Sequence, residues 1–166
     1  MCSEAMYALE LIQKSRKDAR IGFLNVGNQS MPGGTWDKPV TPSLEENLFM
    51  CTTISSSLEK YLYPLGSAEC VYTEDVLFLR SGLNGNFRFL PRDQCFRFDV
   101  FTVAAYNLMR NGRTSQFTDD LILKTQAKLN VGLSRCVERH RNVLVLNALG
   151  CGAFANPPQT IATVFR

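Results

Sequence analysis

Two adjacent glutamates, Glu45 and Glu46, follow a pair of glycines, Gly33 and Gly34, in the stretch NQSMPGGTWDKPVTPSLEENLF (28–49). Carboxyl groups can act as general acids and bases, and ordinary glycosidases use two that face each other across the substrate. Adjacent side chains on a helix point about 100° apart, so at most one of these glutamates touches a reacting bond. The alternative is a pair of solvated acids that serve only the helix dipole.

Two glycine-rich loops supply bare backbone directly after apolar runs. GNQSMPGG follows the run at 21–26, and GCGAFANPP follows the run at 142–149. Glycine permits positive φ and has no side chain, so successive backbone N–H groups can converge on an anion. One such loop alone is usually a tight turn, whereas two at equivalent positions indicate a diphosphate site. Neither loop matches GxxxxGK[ST] or a GxGxxG at the first strand, which sets aside kinase-type and dinucleotide-binding loops.

Hydrophobic patterning predicts the elements that position these loops. It predicts helices at about 6–12, 43–63, 119–140 and after 158, and strands at 21–26, 71–80, 87–90, 98–106 and 142–149. Ser43 is expected to cap the second helix, Pro64 and Gly66 to end it, and Asn156 to cap the last helix. Buried strands that alternate with helices indicate a sheet covered on both faces, with ligands at the carboxyl ends of the strands.

The composition is that of an ordinary globular domain of 166 residues, 45% apolar and 20% charged. The net charge of +3 is not concentrated in a basic block, so we expect neither direct DNA binding nor a membrane anchor. Six scattered cysteines and one histidine, His140, leave the chain short of metal ligands and indicate reduced thiols. No run resembles a signal peptide or a membrane span, which favours an intracellular protein, cytoplasmic or nuclear.

The order of the motifs resembles the macrodomain superfamily, and within it the bacterial-type poly(ADP-ribose) glycohydrolases. That branch has an Asn, then PGGG, a short loop and QEE, and a later GCG-F-N segment. The matching pieces, spread over almost the whole chain, are LNVGNQSMPGG, LEENLF, YLYPL, VYTEDVLFLR, FDVFTVAAYN and LVLNALGCGAFANPP. The resemblance implies an α/β fold, a three-layer α/β/α macrodomain-like sandwich with a mixed, mostly parallel central sheet, formed by residues 1–166 as one domain.

The resemblance also implies roles for residues of this sequence. Glu46 matches the catalytic acid, and Glu45 matches the neighbour that helps to position the ribose. The matching substrate-binding residues are Asn28, Gly33, Gly34, Thr35, Asn107, Gly150, Cys151, Gly152, Ala153, Phe154 and Asn156. Among them, Asn28 is expected to bind the distal ribose, the two glycine loops to hold the diphosphate, and Phe154 to pack beside the sugar.

Four residues have an alternative interpretation. Trp36 and Tyr106 are candidates for stacking on adenine, although aromatic residues near strand ends more often pack against the core or the rim. Asn107 is a ligand contact or a turn residue. Cys151 is interpreted as a small lining residue, because His140 in a basic helix end is a poor partner for a nucleophilic thiol.

The implied activity is hydrolysis of poly(ADP-ribose) with release of ADP-ribose from chain ends. Glu46, partly desolvated beside Glu45, is expected to have a raised pKa and to protonate the leaving oxygen, after which the same carboxylate activates water. The mechanism requires no cofactor and no metal. The expected partners are ADP-ribose, poly(ADP-ribose) and ADP-ribosylated proteins.

The sequence departs from the family pattern in places. Leu44 stands where the family has Gln, Thr35 stands where it has the third Gly, and the loop at 36–43 is slightly longer. The family also continues to a final strand beyond the position of Arg166, so a trimmed fragment and a minimal form are both open. These departures leave two alternatives, a module that binds ADP-ribose without cleaving it and a hydrolase of mono-ADP-ribosylated proteins. A domain that keeps the fold without a ligand site is a more distant possibility.

Overall fold

Helices and strands alternate at the two ends of the chain, and a run of four strands lies between them in the residues that the structure describes. A computed structural model describes residues 2–38, 43–58, 62–110 and 113–166. The α-helices in these ranges are α1 (Cys2–Ser15), α2 (Leu44–Cys51), α3 (Asp119–Glu138) and α4 (Pro158–Val164). The strands are β1 (Ile21–Gly27), β2 (Val71–Phe78), β3 (Phe96–Ala104), β4 (Met109–Arg110), β5 (Arg113–Thr114) and β6 (Val143–Val145). Within the described ranges, every helix is too short or too polar to cross a membrane.

β1 lies inside a four-stranded sheet with the order β2–β3–β1–β6. It runs parallel to both neighbours, and Gly27 at its end lies beside Ala104 at the end of β3. β2 is antiparallel to β3, which makes the sheet mixed, while β4 and β5 form a separate two-stranded ribbon. Because β1, β3 and β6 run in the same direction, the loops that leave their carboxyl ends emerge at one edge of the sheet.

Both faces of the sheet are covered by helices, because successive strand residues point to opposite faces. The first face packs against α1 and α2 in a cluster that includes Met6, Leu9, Phe23, Leu48 and Phe98. The second face packs against α3 and α4 in a cluster that includes Leu24, Phe101, Val103, Leu129 and Ile161. These three layers confirm the α/β/α sandwich with a mixed, mostly parallel sheet.

The second helix is shorter than the sequence predicts. The predicted helix spans 43–63, but α2 ends at Cys51. Thr52 is extended and forms an antiparallel bridge with Phe78 at the end of β2. Since a backbone that pairs with a strand cannot continue a helix, α2 ends before the predicted proline and glycine stops. Residues 59–61 of the predicted helix lie outside the described ranges.

The strand predicted at 87–90 is wrong. This segment makes one isolated antiparallel bridge, between Arg80 and Phe89. The Phe89 side chain is exposed, and the Arg80 guanidinium lies 4.2 Å from its ring centroid. Alternating aromatic residues produced the prediction, but the segment lies beyond the end of β2 and has no long strand with which to pair.

The strand predicted at 142–149 forms only over Val143–Val145. Its residues are half-buried or exposed, not fully buried as expected. β6 is the last strand in the described sheet order and pairs with β1 on one side only. Beyond β6, the Nδ2 of Asn147 donates to the Leu24 carbonyl at 2.6 Å. This side-chain hydrogen bond takes the place of a backbone hydrogen bond between the strands.

The packing of α3 on the sheet requires a glycine. A Cβ added at Gly132 would lie 2.4 Å from Cδ2 of the buried Phe101. We expect Gly132→Ala to lower the free energy of unfolding by about 1–3 kcal/mol, although alanine is the better helix former. Urea denaturation measures the change against Ser134→Ala, an exposed position of the same helix. A Gly132→Ala variant more stable than the parent would contradict this packing.

Candidate active site

Two of the loops that carry predicted site residues are bonded to each other at the carboxyl edge of the sheet. The Nδ2 of Asn156 donates to the Tyr106 carbonyl at 2.6 Å, and the Leu108 N–H donates to the Phe154 carbonyl at 3.0 Å. These bonds join the loop after β3 to the second glycine loop. The first glycine loop leaves β1 at the same edge, because β1 runs parallel to both β3 and β6.

Glu45 is a buried carboxyl group that joins α2 to the first glycine loop. It is 3% exposed. Its Oε2 accepts a hydrogen bond from the Asn28 N–H at 2.7 Å, and its Oε1 accepts one from the Gly33 N–H at 3.1 Å. Burial raises the pKa of Glu45 to about 7 against the opposing effect of these two bonds, and the charge of Glu46 adds to the rise. Glu45 is therefore fixed in place and carries a proton through part of the neutral range.

Both carboxylate oxygens of Glu46 accept hydrogen bonds, from Thr35 and from Ser43. Its Oε1 accepts from the Thr35 N–H at 3.1 Å and from the Thr35 hydroxyl at 3.3 Å. Its Oε2 accepts from the Ser43 N–H at 2.9 Å and from the Ser43 hydroxyl. Burial raises the pKa of Glu46, but the hydrogen bonds from Ser43 and Thr35 outweigh burial and lower the pKa overall. Ser43 is also the N-cap of α2, as predicted.

The pKa values of the two glutamates are ordered opposite to the expectation from sequence. The raised pKa expected for Glu46 is found on Glu45, because Glu45 is the more deeply buried and lacks the hydroxyl donors that surround Glu46. The alternative of two solvated acids is also wrong, since Glu46 is only 9% exposed and Glu45 less. The structure therefore places one neutralisable and one ionised carboxyl group side by side.

The glycine pair is required by close packing within the loop and against α2. Gly33 and Gly34 have φ values of +75° and +56°, a region that side chains disfavour. A Cβ at Gly33 would lie 2.4 Å from Cδ1 of Trp36, and a Cβ at Gly34 would lie 2.5 Å from Oε1 of Glu46. The bare backbone thus lets the loop close over the carboxyl groups, in addition to any contact with a ligand.

Asn25 belongs to the site, although motif spacing does not reveal it. It lies in the apolar run of β1 and is fully buried. Its Nδ2 donates to Thr102 Oγ1 at 3.3 Å, and its side chain also hydrogen-bonds Glu45, which lowers the pKa of that group. A buried amide needs hydrogen-bond partners. An asparagine inside an apolar strand, next to a glycine loop, is therefore the sequence feature that could have identified Asn25 as a site residue.

Asn28 and Asn107 both use their side-chain oxygen within their own turns. The Oδ1 of Asn28 accepts from the N–H groups of Ser30 and Met31 at 2.7 and 3.3 Å. The Oδ1 of Asn107 accepts from the Met109 N–H at 2.9 Å. These bonds do not use the amide nitrogens, which leaves Nδ2 of each residue as the atom to consider for a ligand.

The second glycine loop turns at Gly150, which has a φ of +69°. Cys151 and Phe154 are half-buried, whereas Gly152 and Ala153 are exposed. A Cβ at Gly152 would meet nothing within 4 Å, so the tip of the loop is open. Burial raises the pKa of the Cys151 thiol, which keeps it in the unreactive protonated form and agrees with a lining residue.

Asn156 lies inside this loop and does not cap the helix that follows. It is 2% exposed. Its Nδ2 donates to the carbonyls of Tyr106 and Phe154. The N-cap of α4 is Pro157, with Pro158 as the first helical residue. The predicted cap is wrong because the Asn156 side chain is used to hold the loop against the end of β3.

The two candidate adenine-stacking rings both have packing partners. Trp36 is 40% exposed, and its ring centroid lies 6.0 Å from that of Phe49. The Tyr106 hydroxyl donates to the Ser67 carbonyl, and the Nζ of Lys128 lies 4.0 Å from the Tyr106 ring centroid. Stacking of either ring on adenine stays a prediction.

Carboxyl groups and backbone amides dominate the candidate chemistry. In the parts of the chain that the structure describes, no group of three or more His, Cys, Asp or Glu side chains is arranged to hold a metal ion. The described cysteines are free thiols: Cys51, Cys70, Cys95, Cys136 and Cys151.

Comparison with solved structures identifies the fold. A poly(ADP-ribose) glycohydrolase from Thermomonospora curvata bound to the inhibitor ADP-HPD superimposes with a TM-score of 0.79 at 22% identity over 97% of this chain. The enzyme from Deinococcus radiodurans in complex with ADP-ribose superimposes with TM-scores of 0.77 and 0.74 in two crystal forms, at 20% and 19% identity. The chain has the fold of a poly(ADP-ribose) glycohydrolase.

The similarity to these poly(ADP-ribose) glycohydrolases is structural. At 19–22% identity it establishes the fold. The chain spans 62% of the Thermomonospora chain and 67% or 75% of the Deinococcus chains. No protein-family model matches the sequence, and the comparison with curated proteins finds no match.

Closure of the loop over the glutamates can be tested at Gly34. We expect Gly34→Ala to lower the free energy of unfolding by about 1–2 kcal/mol, because alanine is strained at positive φ and its Cβ would displace the Glu46 carboxylate. Gly152→Ala is the matched control, since its Cβ meets nothing. Chemical denaturation compares the two variants, and equal stabilities would contradict the described loop.

The pKa of Glu45 predicts a pH-dependent stability. Since the folded-state pKa is raised from 4.5 to about 7, the associated stability is fully present below pH 4.5 and is lost as the pH rises through 7. Glu45→Gln does not titrate, so its stability relative to the parent should increase from pH 5 to pH 8. Urea denaturation at both pH values measures this, with the exposed Glu138→Gln as control. A difference between variant and parent that is independent of pH would show that Glu45 has no raised pKa.

Proposed function

We propose that the chain is a glycoside hydrolase that cleaves the ribose–ribose bond at the ends of poly(ADP-ribose) and releases ADP-ribose. The observation that carries this proposal is the buried Glu45–Glu46 pair, closed against the backbone of a glycine loop. The fold shared with solved poly(ADP-ribose) glycohydrolases supports it. A carboxyl pair beside bare backbone suits a substrate that joins a glycosidic bond to a diphosphate.

In this proposal the two glycine loops bind the diphosphate. The N–H groups of Gly33 and Thr35 already donate to the glutamates. We therefore assign the diphosphate contacts to the N–H of Gly34 and to the exposed tip of the second loop at Gly152 and Ala153. The Nδ2 of Asn28 and the ring of Phe154 then serve the ribose that carries the bond to be cleaved.

Glu46 is the proposed acid and base. Its proton moves to the leaving ribose oxygen as the glycosidic C–O bond breaks, water attacks the oxocarbenium-like ribosyl centre, and a water proton returns to Glu46. Glu46 is ionised in this structure, so it must take up its proton when the substrate arrives. The negative diphosphate and the exclusion of water both raise the pKa of a nearby carboxyl group. Glu45 holds the loop, and the steps use neither a cofactor nor a metal.

The proposed partners are poly(ADP-ribose) and proteins that carry it. The free thiols of the described cysteines suit a reducing, intracellular compartment. The net charge of +3 favours the approach of a polyanionic chain without providing the basic block of a DNA-binding surface.

A binding module without turnover is the second candidate. The observation that favours it is the engagement of both oxygens of Glu46 by Thr35 and Ser43, which opposes protonation of the proposed acid. Such a module would bind ADP-ribose through the same loops and release nothing. Hydrolysis of mono-ADP-ribosylated proteins would use the same residues and is a third outcome of the test.

The release of ADP-ribose from purified poly(ADP-ribose) tests the proposal. We expect Glu46→Gln to reduce release by at least about 100-fold, the usual contribution of a general acid. We expect its affinity for ADP-ribose, measured by calorimetry, to stay within about tenfold of the parent, a difference of about 1.4 kcal/mol. Glu138→Gln, an exposed glutamate far along α3, is the matched control and should release at the parental rate.

The outcomes separate the candidates. Binding without release by the parent would support the module and contradict the hydrolase. Release only from mono-ADP-ribosylated protein would change the substrate class. Loss of both binding and release in Glu46→Gln would indicate a damaged fold, which the thermal unfolding of the variant would show.

A further inference from the structure

Two hydroxyl groups converge on the carboxylate of Glu46 from the two ends of the same loop. Thr35 lies directly after the glycine pair, and Ser43 lies at the start of α2. The Thr35 hydroxyl donates to Oε1, and the Ser43 hydroxyl donates to Oε2. Each hydroxyl adds to a backbone N–H on the same oxygen. One carboxylate thus receives four hydrogen bonds from two residues.

We infer that Thr35 and Ser43 are positioning residues whose hydroxyl groups hold Glu46 as an anion facing its own loop and thereby set the pH range in which it can act as an acid. This inference rests on the proposed function, and it adds a specific role for two side chains that do not react. Replacement of either hydroxyl leaves the backbone N–H donor in place, so each contribution can be removed without removing the loop.

Among the groups that contact the Glu46 carboxylate, the hydroxyls of Thr35 and Ser43 are the ones that a substitution can remove. On its own helix Glu46 lies beside Glu45, and burial, with a smaller contribution from the charge of Glu45, raises the pKa of Tyr63. Asp37 and Lys38, further along the loop, have exposed side chains. The donors in contact with the Glu46 oxygens are hydroxyl and N–H groups that do not titrate.

The effect on the reaction has a definite sign. Hydrogen bonds donated to a carboxylate favour its charged form, and an acid that must donate a proton works only while it is protonated. Loss of one hydroxyl donor therefore lets Glu46 keep its proton to higher pH. On the alkaline side of the profile, the proposed hydrolysis should become faster by about tenfold, the size expected for one hydrogen bond to a charged group.

Carbon-13 NMR of the glutamate side-chain carboxyl groups measures the inference without requiring turnover. The Glu46 signal is assigned by its absence in Glu46→Gln. We expect its titration midpoint to move to higher pH in Thr35→Val and in Ser43→Ala, and to stay at the parental value in Thr35→Ser, which restores the hydroxyl. An unchanged midpoint in a folded Thr35→Val variant would overturn the inference even if Ser43→Ala, which also loses its helix cap, failed to fold.

The pH profile of ADP-ribose release is the second measurement. We expect its alkaline limb to move to higher pH in Thr35→Val, while Thr163→Val, an exposed threonine of α4, leaves it in place. A shifted NMR midpoint with an unshifted profile would overturn the role of Thr35 in the reaction. Absence of release by the parent at every pH would defeat the proposed function, and the carboxyl titration would then decide alone whether the hydroxyls hold Glu46 ionised.

Discussion

The buried carboxyl group of Glu45 is the constraint on which the rest of the site depends. It accepts hydrogen bonds from the backbone at Asn28 and Gly33, and so fixes the loop after β1 to the first turn of α2. A charge buried this deeply costs free energy unless it is bonded or neutralised. The hydrogen bonds from two backbone N–H groups and the raised pKa together reduce that cost. The loop then passes so close to Trp36, Phe49 and the Glu46 carboxylate that only glycine fits at two successive positions.

A second carboxyl group directly beside Glu45 needs a different environment. Two adjacent anions in a buried site repel each other, and proteins relieve this by separating the pKa values of the pair. Here Glu45 lies deeper, against Asn25, while Glu46 accepts hydroxyl and N–H donors from Thr35 and Ser43. The result is one carboxyl group, Glu45, suited to hold a proton and one, Glu46, held as an anion. In the proposed hydrolysis the arriving diphosphate raises the pKa of Glu46, which then takes up its proton.

Local signals in the sequence were sufficient to predict most of the helices and strands of the fold. The apolar runs of β1 and β3 and the cap at Ser43 depend on neighbouring residues in the chain, and the structure contains each of them. The end of α2 was not predictable in the same way, because Thr52 leaves the helix to pair with a strand distant in sequence. Tertiary pairing of this kind overrides helix propensity.

The electrostatics of the two glutamates were less predictable than the elements that carry them. The order of the two glutamate pKa values depends on which carboxyl group faces Asn25 and which faces the hydroxyls, and adjacent letters in a sequence do not contain that information. The Asn156 side chain was expected to cap α4, but it donates to the Tyr106 carbonyl just after β3 and so holds the second glycine loop. Depth of burial and direction of side chains therefore decide the roles, and both arise only in the folded chain.

A structure of the chain with ADP-ribose bound would test the account most directly. The proposed site predicts that the diphosphate oxygens accept hydrogen bonds from the backbone at Gly34 and from the tip of the loop at 150–154. It also predicts that Glu46, not Glu45, is the carboxyl group nearest the anomeric carbon of the distal ribose. A ligand bound away from both glycine loops, or a ribose placed against Glu45 with Glu46 turned away, would contradict it.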